Sequence, residues 1–566
     1  MSDSLIGVDY FIILAYFILI SLYGYWVYNK RKNKNLSSHD YFLAEGSLTW
    51  WAIGASIIAS NISAEQFIGM SGDGFFVGIA IGVYEWVGAL TLIIIAVWFL
   101  PIYLKNKIFT MPQFLKRRFN DKVALIMAVF WLLLYVFVNI TSILYLGAIA
   151  INTLVGGASM HFIMVIFTVC SVLIALGGMK VIGYTDAIQV AILLIGGLAT
   201  TYFALEVVSA KFGFGKDVLA GLKAMMTAAP DHFHLIYKKP DATSSQHYID
   251  QYLIVPGILM YVAGQWIVNL EYFGTNQYIT QRALGADLTT ARKGLMFAGI
   301  LKMMMPVVVM LPGIAGYVLY QKGYLPQMGT GNIKDIKDHA YPSVLGFLPN
   351  GLKGLSIAAL SAAIIASLAG KANSISTIFT LDIYKHYFNK EADEKKMVRI
   401  GRITVIIAMI IGLFFTWDDV LGIGGTGGFT FIQKYSGFIS PGVLAAFLLG
   451  MFWKRTTGTA AIVGIVGGFI LCIFFNEFAP QVLGHNTWLY TAYPTASGRW
   501  EIPFLICMGL TFGFTVILMT LLSLLGPKIN PKSFVIDRSM YRVNGSVLVM
   551  IIIILMIFSA IYVKFW

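Results

Sequence analysis

The chain has 566 residues, of which 58% are hydrophobic and only 12% are charged, and this composition excludes a water-soluble globular protein. Its formal net charge of +13 does not predict a nucleic-acid partner, because the basic residues cluster in short loops on alternate sides of apolar runs. Backbone groups in lipid must pair internally, and the alternating pattern of a β-barrel is absent. The sequence therefore predicts an all-α, multi-pass membrane protein.

Apolar runs of about twenty residues, the length that crosses a bilayer, predict about fourteen spans. They lie near 8–28, 50–72, 77–104, 123–150, 158–177, 185–208, 251–273, 294–319, 347–384, 400–416, 427–453, 457–477, 501–526 and 546–564. The basic loops all fall on one side under this assignment, which predicts that side to be cytoplasmic and both termini to be outside, in the plasma (inner) membrane. The first span ends in a basic cluster without a small-residue cleavage site, which predicts an anchor.

The order of the spans predicts an internal organisation. The five spans in 50–208 and the five spans in 251–453 have opposite orientation in the membrane, as the two halves of an inverted repeat do. We predict that they form core repeats 1 and 2. Residues 1–49 supply a first helix and a cytoplasmic linker, 209–250 an extracellular loop, and 454–566 three additional carboxyl-terminal helices. Three cysteines, all in apolar runs, give neither a metal spacing nor a disulfide framework. No nucleophile–base arrangement, phosphate loop or cofactor motif is present, so no enzyme and no cofactor are predicted.

The second span carries the most unusual pattern of the chain. Its middle holds three strongly polar side chains, Asn61, Glu65 and Gln66, and glycines follow at 69, 72 and 74. Polar groups at membrane depth are costly and usually face a bundle interior or a watery cavity. We interpret the stretch as an interrupted helix that lines a site for a small solute and a cation; the alternative is a helix packed through polar contacts with its neighbours.

Further polar residues occur at membrane depth in other spans: Glu85, Asn269, Lys302 and Gln433. We expect the Lys302 ammonium to be a partner of the Glu85 carboxylate, because a buried carboxylate needs one. Asn269, Tyr272 and Phe273 fall on one helical face. Together these residues suit a ligand with many hydroxyls, since each buried hydroxyl needs a partner and Tyr272 offers an aromatic surface. Because the Lys302 ammonium could also bind a carboxylate, an amino acid is an alternative ligand. Each of these residues, taken singly, could instead have a purely structural role.

The ninth span places Ala363, Ala366 and Ser367 on one helical face. Such small residues usually allow close helix packing. The functional alternative is that Ser367 and nearby carbonyls join carbonyls of Ala59 and Ile62 in an oxygen cage for Na⁺. Asp186 lies near the cytoplasmic start of the sixth span, where it suits either cation exit or a solvated cap.

These residues stand within stretches that resemble the sodium/solute symporters, and specifically their sodium/glucose and sodium/galactose branch. The resemblance extends from the first span to the last and includes ASIIASNISAEQFIGMSGDGF, YEWVGALTLI, YTDAIQV, NSISTIFTLDIYKHY and SPGVLAAFLLGMFWKRTTGTAA. It implies a LeuT-like core of two inverted five-helix repeats with discontinuous helices, one helix before it and three after. The implied activity is sodium-coupled uptake of a hexose, with a sugar, Na⁺ and the lipid bilayer as partners; the oligomeric state stays open.

The resemblance also implies roles for residues at the matching positions. Sugar contacts fall on Gln66, Glu85, Asn269, Lys302 and Gln433, with Asn61 and Glu65 close by, and the inner gate on Tyr272 beside Phe273. The sodium site falls on the carbonyls of Ala59, Ile62 and Ala363 and the hydroxyl of Ser367, and sodium exit on Asp186. Four positions depart from the family pattern: Gly88, Ala366, Glu271 and Phe273.

Other functions stay open. The same transporter could carry inositol, another polyol or an organic acid, and Glu85 or Glu271 could couple it to protons instead. A sodium channel or sugar sensor would bind without accumulating its solute. A membrane enzyme is the third class, although the sequence shows no catalytic arrangement for one.

Overall fold

The computed structural model describes residues 5–29, 49–108, 110–155, 159–176 and 179–566, with their side chains except at 17, 20, 21, 24–29, 179–187 and 426. Helices account for most of these residues, as the apolar runs predict. The helices of the amino-terminal part are α1 (Gly7–Asn29), α2 (Trp50–Asn61), α3 (Ser71–Val77), α4 (Val83–Ile94), α5 (Leu100–Lys105), α6 (Met111–Arg118), α7 (Asp121–Leu133), α8 (Thr141–Val155), α9 (Met160–Ala175), α10 (Met179–Lys211) and α11 (Val218–Ala228).

The remaining α-helices continue this numbering along the chain. They are α12 (Gln246–Ile254), α13 (Ile258–Val262), α14 (Gly264–Gly274), α15 (Gln277–Leu284), α16 (Leu288–Gln321), α17 (Ile333–Ile336), α18 (Ala340–Leu345), α19 (Leu352–Thr377), α20 (Glu394–Thr416), α21 (Ile423–Thr426), α22 (Gly428–Ser436), α23 (Ser440–Phe452), α24 (Gly458–Ile473), α25 (Ala479–Leu483), α26 (Phe504–Leu524) and α27 (Gly545–Phe565).

Short irregular elements connect or extend these helices. One antiparallel pair, β1 (Tyr493–Pro494) and β2 (Trp500–Glu501), lies between α25 and α26, with Tyr493 opposite Glu501. The 3₁₀ segments are Ile79–Gly82, Pro230–Phe233, Pro326–Met328, Lys337–His339 and Arg538–Tyr541. π-Helical segments, which are often found at functional sites, are Glu65–Met70, Ile95–Phe99, Leu134–Ile140, Ile378–Phe388 and Phe474–Phe478.

Within the described residues, nine helices are long and apolar enough to cross a membrane, or up to eleven if each of two bent pairs counts as one span. The bent pairs are Gln246–Val262 with Gly264–Gly274, at 81°, and Gly428–Ser436 with Ser440–Phe452, at 46°. The predicted all-α membrane class with discontinuous helices is confirmed. The count of fourteen spans and the boundaries of the repeats stay predictions.

The chain forms two compact units. The first contains Met1–Gly82, Leu133–His234 and Leu301–Ile432. Its central element is α19, which lies among α1, α2, α8, α9, α10 and α20 and is buried along most of its length. The buried Asp9 of α1 accepts hydrogen bonds from the N–H groups of Gly351 and Gly354 at 2.7 and 3.0 Å, which places a carboxylate at the amino end of α19, where the helix dipole favours it.

The second unit contains Val83–Leu132, Leu235–Ile300 and Gln433–Trp566. In it α14 lies against α4, α23 and α26. The last helix, α27, exposes most of its apolar surface, as expected of a helix that faces lipid. Each unit thus takes stretches from both predicted repeats.

Candidate functional site

The second span is interrupted where its polar residues predict. After α2 the backbone of Ile62 is extended, with φ −84° and ψ 107°. The N–H of Ser63 donates to Gln66 Oε1 at 3.3 Å, and the N–H of Gln66 donates to the carbonyl of Ser63 at 3.2 Å. In a continuous α-helix these two N–H groups would bond to the carbonyls of Ala59 and Ile62. Those two carbonyls are therefore released from their helical donors at the break, and the predicted interruption is confirmed.

A cation site at these carbonyls would need further oxygen ligands, and helix α19 carries a hydroxyl that could be one of them. The hydroxyl of Ser367 is buried, and it has no hydrogen-bond partner among the residues that the structure describes. Ala363 lies one turn earlier on the same helix, and α19 packs against α2. The backbone carbonyls of Ala59, Ile62 and Ala363 and the Ser367 hydroxyl are neutral oxygen groups, the type of ligand that hard cations prefer. The residues present fit Na⁺.

The Lys302 side chain contacts the end of α2. It comes from α16, is only 1% exposed, and its Nζ donates to Asn61 Oδ1 at 2.7 Å. The sequence placed both residues in the sugar site but did not predict this hydrogen bond. Glu85, the partner expected for Lys302, is buried on α4 in the second unit, and the Lys302–Glu85 pair stays a prediction.

Two predicted sugar ligands have local roles at the break itself. The carbonyl oxygen of the buried Gln66 side chain caps the backbone of Ser63, as described above. The N–H of Glu65 donates to Ser63 Oγ at 3.2 Å, and the Glu65 carboxylate interacts electrostatically with Lys371 of α19. The Gln66 side chain and the backbone N–H of Glu65 thus help to form the interruption, a structural role that does not depend on a ligand.

In the second unit, α14 presents a polar face that the sequence predicted only in part. Asn269 Nδ2 donates to the carbonyl oxygen of Gln265 at 2.9 Å and to its side-chain Oε1 at 3.1 Å. Gln265 is fully buried, and its Nε2 has no hydrogen-bond partner within the described part of the chain. This residue was missed, although its position one turn before Asn269 was a usable signal. Because α14 lies against α4, Gln265 and Asn269 belong to the same unit as Glu85.

The predicted gate residues lie at the end of α14. The rings of Tyr272 and Phe273 meet edge to face with centroids 5.0 Å apart. Glu271, one of the departures from the family pattern, accepts hydrogen bonds at 3.4 Å from Thr275 and from Ser440. Gln433 is half-buried on α22, next to the 46° bend. Asp186 lies in α10, but its side chain is outside the described residues, so its exit role stays a prediction.

An interrupted helix with released carbonyls and a buried ammonium at the break is typical of one class of membrane protein, the secondary transporters. Sequence comparison narrows the class. The sodium:solute symporter family matches residues 41–468, and the chain belongs to this family.

Individual relatives agree with this assignment. The chain is 40% identical to the sodium/glucose cotransporter of Vibrio parahaemolyticus over 576 aligned positions, which cover 100% of this chain and 99% of the relative. It is 33% identical over 485 residues to sodium/myo-inositol cotransporter 2 of Homo sapiens, covering 82% and 69% of the two chains.

Among solved structures, an outward-open, substrate-bound Na⁺-coupled sialic acid symporter matches with a TM-score of 0.73 and 19% identity, over 92% of this chain and 99% of that one. At this identity the likeness shows the fold alone, and it confirms the predicted LeuT-like class. The chain is thus a multi-pass, sodium-coupled solute symporter, a transporter rather than an enzyme, with Na⁺ as its coupling ion.

Proposed function

We propose that this symporter carries a hexose, galactose or glucose, into the cell together with Na⁺ by alternating access. The observation that carries the proposal is the interrupted second span, where two carbonyls lack their helical donors and polar side chains surround the break. The sodium/glucose cotransporter that is similar over the whole chain supports a hexose as the solute.

The sodium site is proposed to consist of the carbonyls of Ala59, Ile62 and Ala363 with the hydroxyl of Ser367. The first two belong to the broken span and the last two to α19, so bound sodium holds these two elements together. This favours the outward-open state and completes the sugar site, so that each ligand binds more tightly in the presence of the other. Asp186 is proposed to help sodium leave toward the cytoplasm.

The sugar contacts are proposed, by the resemblance to the family, to come from Gln66, Glu85, Asn269, Lys302 and Gln433. Asn61 and Glu65 are proposed to lie close by, and Tyr272 and Phe273 to form the inner gate. This set offers ammonium and amide donors and carboxylate acceptors, which a ring with several hydroxyls needs in a buried site. We place both termini outside the cell membrane, because the basic loops then face the cytoplasm.

The sodium gradient is sufficient for accumulation. One charge moved through 100 mV releases about 2.3 kcal/mol, and a tenfold sodium gradient adds about 1.4 kcal/mol. Their sum is enough to concentrate a neutral sugar several hundredfold at one sodium per sugar.

Uptake into proteoliposomes tests the proposal. Radiolabelled galactose should accumulate above its external concentration when an inward Na⁺ gradient is imposed, and replacing Na⁺ by choline at fixed pH should abolish this. Uphill uptake that persists in choline would instead indicate proton coupling, and equilibration without accumulation would indicate a channel or sensor.

The solute itself has a second candidate. The similarity to the human sodium/myo-inositol cotransporter 2 favours myo-inositol as the alternative to a hexose. Unlabelled galactose, glucose and myo-inositol should be compared as competitors of labelled galactose; if only myo-inositol is accumulated, the hexose assignment is wrong and the sodium mechanism is retained.

A further inference from the structure

A buried lysine lies one helical turn beyond the proposed sodium ligand Ser367. Lys371 belongs to α19 and is 2% exposed, although a lysine is almost never fully buried unless it is paired. Ala363, Ser367 and Lys371 are spaced four residues apart, so they fall on neighbouring turns of one helical face. The axial offset between Ser367 and Lys371 is about 6 Å.

The Lys371 ammonium is held in place by two other segments of the same unit. Its Nζ donates to Asn139 Oδ1 at 3.0 Å, and Asn139 lies in the π-helical segment that packs against α19. It also interacts electrostatically with Glu65, which begins the π-helical segment just after the break in the second span. Glu65 is buried, and its Oε1 has no hydrogen-bond partner in the described residues.

We propose that Lys371 is an affinity-setting residue of the sodium site: its fixed positive charge weakens sodium binding, and the Glu65 carboxylate opposes it. This inference rests on the proposed sodium site at Ala59, Ile62, Ala363 and Ser367. Ala366 also makes sodium binding weaker, because alanine offers no second hydroxyl to the ion. The chain thus has a low-affinity site from which sodium is released readily into the cell.

The size of the effect follows from Coulomb's law. Two unit charges about 8 Å apart, at an effective dielectric constant of about 20, change a binding constant roughly 30-fold. Relaxation and water reduce this value, so removal of the ammonium should lower the half-saturating sodium concentration about tenfold. Removal of the Glu65 charge should raise it by a similar factor, since the two charges act on sodium with opposite signs.

The test measures sodium binding without transport. The unfolding temperature of the purified full chain is recorded against Na⁺ concentration, with choline keeping the ionic strength constant, because a ligand that binds the native state stabilises it. The half-saturating concentration should fall at least fivefold in Lys371→Met and rise at least fivefold in Glu65→Gln. The double variant should return to within about threefold of wild type.

Controls separate charge from structure. Lys371→Arg keeps the charge and should stay within about threefold of wild type, and Lys353→Met removes another buried lysine of α19 and should leave the sodium curve unchanged. Lys371→Gln keeps a polar group for Asn139 and replaces Lys371→Met if the latter does not fold. The inference is wrong if Lys371→Met and Glu65→Gln shift the half-saturating Na⁺ concentration in the same direction, or if neither variant shifts it. In both cases the proposed sodium site itself stands. If wild type itself shows no sodium-dependent stabilisation, the proposed sodium site fails, and the inference fails with it.

Discussion

Replacing Lys337 by methionine should destabilise the first unit strongly, because the residue forms a fully buried ion pair with Asp73. The two side chains are 1% and 0% exposed. Lys337 belongs to a 3₁₀ segment between α17 and α18, and Asp73 belongs to α3, the part of the second span beyond the break. Thr430 of α22 joins them, donating to Asp73 Oδ2 at 3.1 Å.

Removal of one member of a buried ion pair typically costs about 3–5 kcal/mol, since it leaves an uncompensated charge. Thr430 still donates to Asp73 in the variant, so we expect the lower end, about 3 kcal/mol. At about 1.5 °C per kcal/mol for a unit of about 300 residues, the unfolding temperature should fall by roughly 4–5 °C. The double variant Lys337→Met, Asp73→Leu should recover most of the loss, because apolar replacements of a buried pair are often neutral.

The assay is thermal unfolding of the purified protein in one detergent, followed by tryptophan fluorescence. Lys116→Met is the matched control: Lys116 pairs with Asp121 at 2.8 Å, but both side chains are about half exposed, at 48% and 51%, and a surface pair contributes less than about 1 kcal/mol. If Lys337→Met melts within 2 °C of Lys116→Met, the buried pair contributes far less than this reasoning requires.

Three further predictions concern single residues. Burial raises the pKa of Asp338 to about 6, against the opposing effects of Lys337 and the Gly428 N–H. In this pH range the folded state therefore binds a proton that the unfolded state has released. The free energy of unfolding should rise as pH falls from 7.5 to 5. Asp338→Asn should flatten this rise in unfolding temperature, and an unchanged slope would assign it to other groups. Gly313→Ala should destabilise by about 1–3 kcal/mol, because a Cβ there would lie 2.0 Å from the Ser71 carbonyl oxygen; an unfolding temperature equal to wild type would contradict this close approach. Ser367→Ala should raise the Na⁺ concentration for half-maximal uptake several-fold. Ser376→Ala should not, although it removes another buried hydroxyl of α19 that has no hydrogen-bond partner in the part of the chain that the structure describes. Equal sodium curves for the two serine variants would move the cation elsewhere.

The break in the second span was predictable from the sequence because its signals are local. Asn61, Glu65 and Gln66 interrupt an apolar run, and the glycines behind them allow close approaches; a Cβ on Gly69, for example, would lie 2.8 Å from Phe429. The 81° bend before α14 was not predicted, although Pro256, Gly257 and Gly264 weaken a helix in this run. The π-helical segments were also missed, because one extra residue in a turn leaves no mark in composition.

The long-range pairs could not be predicted for a different reason. Lys337 and Asp73 are 264 positions apart, and Lys302 and Asn61 are 241 apart, so no spacing rule connects them. The sequence identified Lys302 as functional but predicted a different partner for it. The sequence predicted no role for Lys371 in the ninth span. Its proposed role depends on Asn139 and Glu65, which are far from it in the sequence.

The contacts of the second span indicate which of its two parts moves when sodium leaves. Beyond the break, α3 is held by the Asp73–Lys337 ion pair, whose disruption costs about 3–5 kcal/mol, comparable to the whole driving force of transport. Before the break, α2 is held by Lys302 through the neutral Asn61 side chain, a hydrogen bond to a charged group that contributes about 1.5–3 kcal/mol. Sodium bound at the proposed site, which includes the Ala59 carbonyl, would add to this weaker attachment, so its release should loosen α2 and leave α3 in place. Hydrogen exchange should therefore accelerate in residues 50–61 when Na⁺ is replaced by choline, and stay constant in 71–77; an equal response of both segments would show that the ion pair does not fix α3.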